Sequence, residues 1–181
     1  MKFIELSLSG AFLIEPVVYN DKRGCFLEIY NQEIFQDHGV PGNFVQDNYS
    51  FSRQKGVLRG LHFQFWPHAQ AKLIRVISGA IYDVIVDLRQ NSSTYGQWIS
   101  CELSEENMNM LFVPKGFAHG FCTLENNTHV IYKVDEYYAP RSDGGLRWDD
   151  PDLKVVWPLD TPILSEKDAS LPFFKEIGHI F

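Results

Sequence analysis

The sequence has few cysteines and no long apolar run. Only three of its 181 residues are cysteine (Cys25, Cys101 and Cys122), and none belongs to a Cys-x-x-Cys pair. This count argues against a disulfide framework or a zinc knuckle and indicates a reducing compartment. No stretch reaches the roughly 20 apolar residues that a membrane span needs, and the N-terminus lacks a signal-peptide core. We therefore expect a soluble, cytoplasmic protein.

Basic residues are outnumbered by acidic ones. Sixteen Lys and Arg against 23 Asp and Glu give a formal net charge of −7. A surface of this sign repels nucleic acid and anionic lipid, so we expect neither a nucleic-acid nor a membrane partner. An anionic small molecule remains compatible with the composition, because a few basic side chains can gather in one pocket.

Short β-like runs separated by turn signals make up most of the chain. They occupy residues 12–19, 25–30, 44–50, 57–64, 71–77, 80–88, 97–103, 110–113, 120–124 and 128–138. Many short strands at regular spacing are typical of a β-sandwich or barrel. Only residues 31–38 read as a helix before the tail. The length fits one domain, 1–181, in which a tail from about residue 147 forms loops and short helical turns.

Polar side chains recur within the strand-like sequence between residues 46 and 72. In a strand Gln46 and Asn48 share one face, as do His62 and Gln64. Arg59 has the opposite parity, but a β-bulge at the following glycine would turn it inward. Two polar faces that converge inside a barrel would form a wet, cationic cavity.

Two interpretations of these polar residues are open. Each residue alone is most simply a hydrogen-bonded core or rim group. The whole group, together with Lys72 and with Tyr132 in a late strand, favours a binding site, because buried polar groups without a role are costly.

Four segments carry a family resemblance. Residues 44–48, 55–64, 114–121 and 147–151 resemble the signature segments of the dTDP-4-dehydrorhamnose 3,5-epimerase family, and the likeness extends from about residue 12 to residue 172. The resemblance implies an all-β, antiparallel jelly-roll β-sandwich of the cupin type with a few short peripheral helices. It also implies a homodimer that uses no metal and no cofactor.

The residues themselves also argue against a metal. Metal-binding cupins resemble G-x5-H-x-H-x3,4-E-x6-G followed by P-x-G-x2-H. Here His62 and His119 keep their places, but Gln64 replaces the second His, and Lys72, with six residues between it and Gly79, stands where the Glu would be when the motif is counted back from that glycine. A divalent ion would be poorly held by the two remaining ligands beside an ammonium group.

The resemblance implies a chemistry. The substrate would be dTDP-4-dehydro-6-deoxy-D-glucose, whose ketone acidifies the hydrogens on C3 and C5. His62 resembles the family's general base, oriented by Asp168, and Tyr132 resembles the acid that returns a proton to the opposite face. Lys72 would steady the negative charge of the enolate oxygen.

The resemblance also assigns substrate-binding positions. Arg23, Phe26 and Glu28 match a segment that reaches into the partner's site. The remaining matches are Gln46, Asp47, Asn48, Arg59, Lys72, His119, Tyr138, Asp143 and Lys167.

Three departures from the family pattern leave alternatives open. Tyr49 stands where His is usual, Ala71 where Gly is common, and Asp143 where Glu is usual. These departures do not affect the predicted acid and base, but they leave undecided which sugar is the substrate. A mono-epimerase acting at C3 or C5, or an epimerase of a related nucleotide-linked keto-sugar, is the first alternative. A cupin of another reaction type, metal-dependent or a keto-isomerase, and a non-catalytic sugar-nucleotide binding module are more distant ones.

Overall fold

Antiparallel strands dominate the fold. The computed structural model describes residues 1–40, 43–178 and 180–181. Its strands are β1 (Lys2–Glu5), β2 (Phe12–Glu15), β3 (Val18–Asp21), β4 (Gly24–Leu27), β5 (Gln46–Ser52), β6 (Leu58–Gln64), β7 (Lys72–Ser78), β8 (Ala80–Asp87), β9 (Trp98–Ser104), β10 (Met110–Val113), β11 (Phe117–Thr123), β12 (Thr128–Val134) and β13 (Asp143–Gly145). The helices are α1 (Gln32–Asp37), α2 (Glu166–Ala169) and a 3-10 turn at Phe174–Glu176. No helix in the described part of the chain is long and apolar enough to cross a membrane.

Two sheets enclose the core. One has the strand order β1-β2-β10-β7-β12-β5 and the other the order β13-β6-β11-β8-β9. Ile74 and Val130 of the first sheet and Ile81 and Ile85 of the second belong to one buried cluster, so the sheets pack face to face. The prediction of an antiparallel jelly-roll sandwich with short peripheral helices is confirmed.

Each sheet has a second apolar layer on its outer face. On the five-stranded sheet, Val84 and Val86 pack with Leu153 of the C-terminal segment, so β8 is buried on both faces and reads as a nearly continuous apolar run. On the six-stranded sheet, Phe35 of α1 packs over Ile14 and Phe112. The remaining outer face of the six-stranded sheet carries exposed side chains, including Tyr49 and Ile77.

The predicted run at 12–19 forms two separate strands. β2 joins the six-stranded sheet, whereas β3 pairs only with β4 in a two-stranded hairpin. Pro16 lies at the break and has no N–H for a ladder hydrogen bond. The sequence analysis missed β1, which has four residues, and β13, which has three residues, two of them glycine.

Candidate active site

Two adjoining cavities open between the sheets. The first, which we call the Lys72 cavity, has a volume of about 190 Å³, and the second, the Arg59 cavity, about 400 Å³. His62, Tyr132 and Lys167 line both, so the two form one cleft. Its other lining residues include Gln46, Asn48, Gln64, Gln70, Tyr138 and Asp143 in the Lys72 cavity and Tyr49, Ser50, Phe51, Phe121, Ser165 and Asp168 in the Arg59 cavity.

His62 and Asp168 form a close pair in this cleft. His62 Nε2 lies 2.6 Å from Asp168 Oδ1, and the imidazole is 32% exposed whereas the carboxylate is 6% exposed. An ionised carboxylate only accepts hydrogen bonds, so Nε2–H donates and the neutral ring carries its lone pair on Nδ1. Burial works to raise the pKa of Asp168, but the interactions with His62, Ser165 and Lys167 together outweigh burial and lower it. The pair therefore holds a fixed imidazole beside an ionised carboxylate.

Asp168 lies on α2, a single helical turn that positions its carboxylate at the cleft. Ser165 caps α2, because its Oγ accepts a hydrogen bond from the backbone N–H of Asp168 at 3.1 Å. This cap starts the turn that carries Asp168 toward β6, where His62 lies.

A β-bulge in β6 brings Arg59 into the cleft. His119 of β11 pairs with His62 of β6, and Phe121 pairs with Arg59. Between these two pairs β6 has one residue more than β11, which defines a β-bulge. Gly60 has a φ of +121°, and a Cβ there would lie 2.5 Å from the Cα of Gly120. Only glycine fits so close an approach. The predicted bulge is confirmed.

Lys72 is a buried cation at the cleft. Its side chain is 8% exposed, and Nζ donates to the carbonyl oxygen of His62 at 3.1 Å. Burial lowers the pKa of Lys72 to about 8, although the carboxylates of Asp83 and Asp143 oppose that shift. The ammonium group is therefore mostly charged at pH 7 and titrates just above it.

Tyr132 lies on the opposite sheet from His62. It pairs with Asn48 across β12 and β5, and the two share the inner face. Burial raises the pKa of the Tyr132 phenol; Arg59 opposes this shift and Asp143 adds to it. The phenol stays protonated throughout the neutral range and can donate a proton.

Gln64 fixes the loop after β12 through hydrogen bonds to its backbone. Its Nε2 donates to the carbonyl oxygens of His68 and Tyr137 at 2.7 and 3.2 Å, and its Oε1 accepts from the N–H of Ala139 at 2.7 Å. Both ends of the amide are thus occupied by backbone groups.

Within the described ranges, no group of three or more His, Cys, Asp or Glu residues is arranged to hold a metal ion.

Asp143 accepts two hydrogen bonds at the rim of the Lys72 cavity. Its Oδ2 lies 2.5 Å from Lys167 Nζ and accepts from the Tyr138 hydroxyl at 3.1 Å. The hydrogen bond to Asp143 is the main cause that raises the pKa of Lys167, so that ammonium remains charged.

Several predicted site residues lie outside this cleft in the single chain. Asp47 is on the outer face of β5, 2.8 Å from Lys133. Arg23 pairs with Asp21 on the hairpin, and Phe26 is 72% exposed there. Glu28 directly follows the hairpin. None of these four predicted residues is among those that line the two cavities.

His119 lies beneath the cleft rather than on its wall. It is 6% exposed, and its Nε2 is 2.8 Å from Oδ1 of the fully buried Asp83. The angles of this contact do not make a hydrogen bond, so it is an ion-pair contact by distance. Asp83 was missed by the sequence reasoning, although a carboxylate in the middle of the apolar run of β8 was an available signal.

Ser50 was also missed. It follows Gln46 and Asn48 on the inner face of β5 and lines the Arg59 cavity. Its Oγ is buried and has no hydrogen-bond partner in the part of the chain that the structure describes. Strand parity alone would have placed it in the cleft.

Comparison with known proteins finds close relatives over nearly the whole chain. The family model described as dTDP-4-dehydrorhamnose 3,5-epimerase matches residues 5–176. The protein of that name from Methanothermobacter thermautotrophicus is 54% identical over 97% of this chain and 95% of its own. The crystal structure of the Bacillus anthracis enzyme, with TDP and pyrophosphate bound, is 53% identical, covers 95% of this chain and 98% of that one, and has a TM-score of 0.93.

Two further solved structures bear on the reaction. A Legionella pneumophila 3,5-epimerase in complex with dTDP-4-keto-L-rhamnose is 42% identical over 97% of this chain and 94% of that one, with a TM-score of 0.92. ChmJ, a 3'-monoepimerase from Streptomyces bikiniensis in complex with dTDP-quinovose, is 32% identical over 97% of this chain and 91% of that one, with a TM-score of 0.90. The same fold therefore accommodates inversion at two carbons or at one.

Proposed function

Because the chain belongs to the dTDP-4-dehydrorhamnose 3,5-epimerase family, we propose that it inverts C3 and C5 of dTDP-4-dehydro-6-deoxy-D-glucose to give dTDP-4-dehydro-L-rhamnose. One observation carries the assignment of roles. The His62–Asp168 pair and the Tyr132 phenol come from opposite sheets and line the same cleft, beside the buried ammonium of Lys72.

His62 is the general base in this proposal. With Nε2–H held by Asp168, the lone pair of Nδ1 accepts the proton from the carbon next to the ketone. Asp168 keeps the ring orientation fixed and stabilises the imidazolium that forms, because its carboxylate remains ionised.

Lys72 and Tyr132 complete the inversion. Removal of the proton moves negative charge to the ketone oxygen, and a buried ammonium stabilises such an oxyanion more strongly than an exposed one. Tyr132 then donates its hydroxyl proton to the carbon from the side opposite His62. The configuration inverts because the proton leaves from one face and returns to the other.

The cationic groups of the cleft suit the diphosphate. Arg59 donates to Ser52 and to the carbonyl oxygen of Phe51, which holds its guanidinium at the Arg59 cavity. Guanidinium groups bind phosphates in a bidentate manner. Gln46, Asn48 and Tyr138 supply further substrate contacts in this proposal, whereas contacts from Asp47, His119, Asp143 and Lys167 stay predictions from the family resemblance.

We further propose that two copies form a homodimer in which the β3–β4 hairpin of each completes the other's cleft. The hairpin exposes Tyr19 and Phe26, and the outer face of the six-stranded sheet exposes Tyr49, Phe51 and Ile77. Exposed apolar patches of this kind mark interaction surfaces. The single-domain organisation of residues 1–181 and the cytoplasmic location also stay proposals.

Solvent exchange tests the reaction. The protein is incubated with dTDP-4-keto-6-deoxyglucose in deuterated water, and NMR follows the sugar carbons. We expect deuterium at both C3 and C5, none with His62→Asn, and wild-type exchange with the control His38→Asn, which alters a histidine at the end of α1. Deuterium at one carbon only would support the mono-epimerase alternative, of which ChmJ is an example.

Mixing two inactive variants tests the exchanged hairpin. Arg23→Ala and His62→Asn should each be inactive alone. A mixed dimer should contain one intact cleft, built from His62 of one subunit and Arg23 of the other, so activity should return after subunit exchange. If each hairpin served its own chain, mixing would restore nothing, and a fully active monomer in light scattering would also contradict the proposal.

A further inference from the structure

Two neighbouring side chains of α2 bind two neighbouring strands. Asp168 contacts His62 on β6, and Lys167 contacts Asp143 on β13. β13 pairs with β6 so that Gly145 lies opposite His62. The two contacts thus tie one helical turn to the same sheet edge.

The helix cannot hold this position unaided. α2 has four residues, and isolated helices of this length are unstable in water. Backbone hydrogen bonds fix the flanking segment at Ile163, against Gly56 and Leu58, and at Pro172, against Arg147. Between these two anchors, the side-chain contacts of α2 with the sheet fix the position of Asp168.

We propose that the Asp143–Lys167 ion pair is a positioning device for the catalytic base: it holds α2 against β13 so that Asp168 stays on His62. The inference rests on the proposed role of His62. Asp143 Oδ2 already accepts from both Lys167 and the Tyr138 hydroxyl within the chain, so only Oδ1 is left for a ligand. A pure substrate contact would not need both donors on that oxygen before the substrate arrives.

Electrostatics work in the same direction. Lys167 forms an ion pair with Asp143, and its charge also contributes to lowering the pKa of Asp168. The groups that face the pair from the surrounding elements are His62 and Lys72 on β6 and β7, with Tyr132 and Tyr138. Asp143 engages the Lys167 ammonium, which leaves the Asp168 carboxylate to accept from the imidazole.

A double-mutant cycle tests the inference. Asp143→Asn and Lys167→Gln should each lower kcat about tenfold and leave KM within about twofold, because misorientation of a base acts on the chemical step. The double variant should be no worse than either single variant, since all three break the same tie. Asp143→Glu, which keeps the charge, should stay within about twofold of wild type. Lys175→Gln is the matched control, because it breaks an exposed ion pair with Asp152 in the same C-terminal segment.

A spectroscopic readout separates positioning from binding. The proton in the 2.6 Å contact between His62 and Asp168 should give a downfield ¹H NMR resonance in the free protein, which Asp168→Asn abolishes and so assigns. Asp143→Asn and Lys167→Gln should broaden or remove it, whereas Asp143→Glu and Lys175→Gln should not. An unchanged resonance with a raised KM would overturn the inference and leave both residues as substrate contacts. This measurement needs no turnover, so failure of the proposed reaction would appear separately, as absent exchange in the wild type.

Discussion

Raising the pH from 7 to 9 should remove the positive charge of Lys72 and, with it, most of the turnover. The ammonium is buried, and burial lowers its pKa to about 8, against an ordinary value of 10.5. If this charge stabilises the enolate oxygen, kcat/KM has an alkaline limb near pH 8 that an ordinary lysine would not produce.

The size of the fall follows from the fraction protonated. With a pKa of about 8, roughly nine tenths of the Lys72 groups are charged at pH 7 and about one tenth at pH 9, so kcat/KM should drop about tenfold. At the ordinary value, about 97% would still be charged at pH 9. Tyr132 does not account for such a limb, because burial raises the pKa of its phenol above the ordinary value for tyrosine.

The assay is the initial rate of deuterium incorporation between pH 6 and pH 9.5, corrected for exchange in buffer alone. Lys72→Met keeps the length of the side chain without its charge. This variant should be slow at pH 7 and show no limb near pH 8. A wild-type profile that stays flat to pH 9.5, or a limb that persists in Lys72→Met, would refute the assignment of Lys72 to the oxyanion.

Three further outcomes are expected. Tyr132→Phe should lower inversion by about 10²–10⁴-fold while His62 still exchanges protons, which NMR of the sugar carbons detects as deuterium without inversion. Ser50→Ala should raise KM about fivefold in steady-state kinetics, because Ser50 lines the Arg59 cavity and its buried hydroxyl has no hydrogen-bond partner among the described residues; an unchanged KM would contradict a substrate contact. Asp87→Asn should lower the urea midpoint of unfolding at pH 7. Burial works to raise the pKa of Asp87, but hydrogen bonds from Arg89 and two hydroxyls outweigh burial and lower the pKa to about 2. The ionised carboxylate therefore stabilises the folded state. Since this pKa is depressed, the wild type should lose that stability as the pH falls from about 4 to 2, and the variant should lack this pH dependence.

Strand parity predicted the walls of the cleft. Alternation put Gln46 and Asn48 on one face, and the glycine after Arg59 marked the bulge that turns the guanidinium inward. The same alternation also places Asp47 on the opposite face, where it pairs with Lys133. The prediction of Asp47 as a substrate contact came from the family resemblance. The strand pattern alone would have placed its side chain outside the cleft.

Long-range pairs lay beyond any periodic pattern. His62 and Asp168 are 106 positions apart, and α2 is a single turn with no apolar period of its own. The resemblance alone joined the two residues in the sequence reasoning. Asp83 was missed for a different reason. Its carboxylate visibly interrupts the apolar run of β8, but its contact, His119, lies on another strand, so the local pattern does not show what the carboxylate faces.

Gln64 and Lys72 suit the proposed reaction, in which the cleft stabilises the enolate with its own side chains. At the position where metal-binding cupins have a second His, the Gln64 amide is used up by three backbone groups and fixes the loop that carries Tyr138. At the position of the acidic ligand, Lys72 brings a charge of the sign that an enolate needs. The two side chains are compatible with one another: an ammonium beside a metal site would repel the ion, so position 64 need not supply a ligand and can serve the loop. Gln64→His should therefore release the loop without creating a metal site, because Lys72 would still oppose the ion.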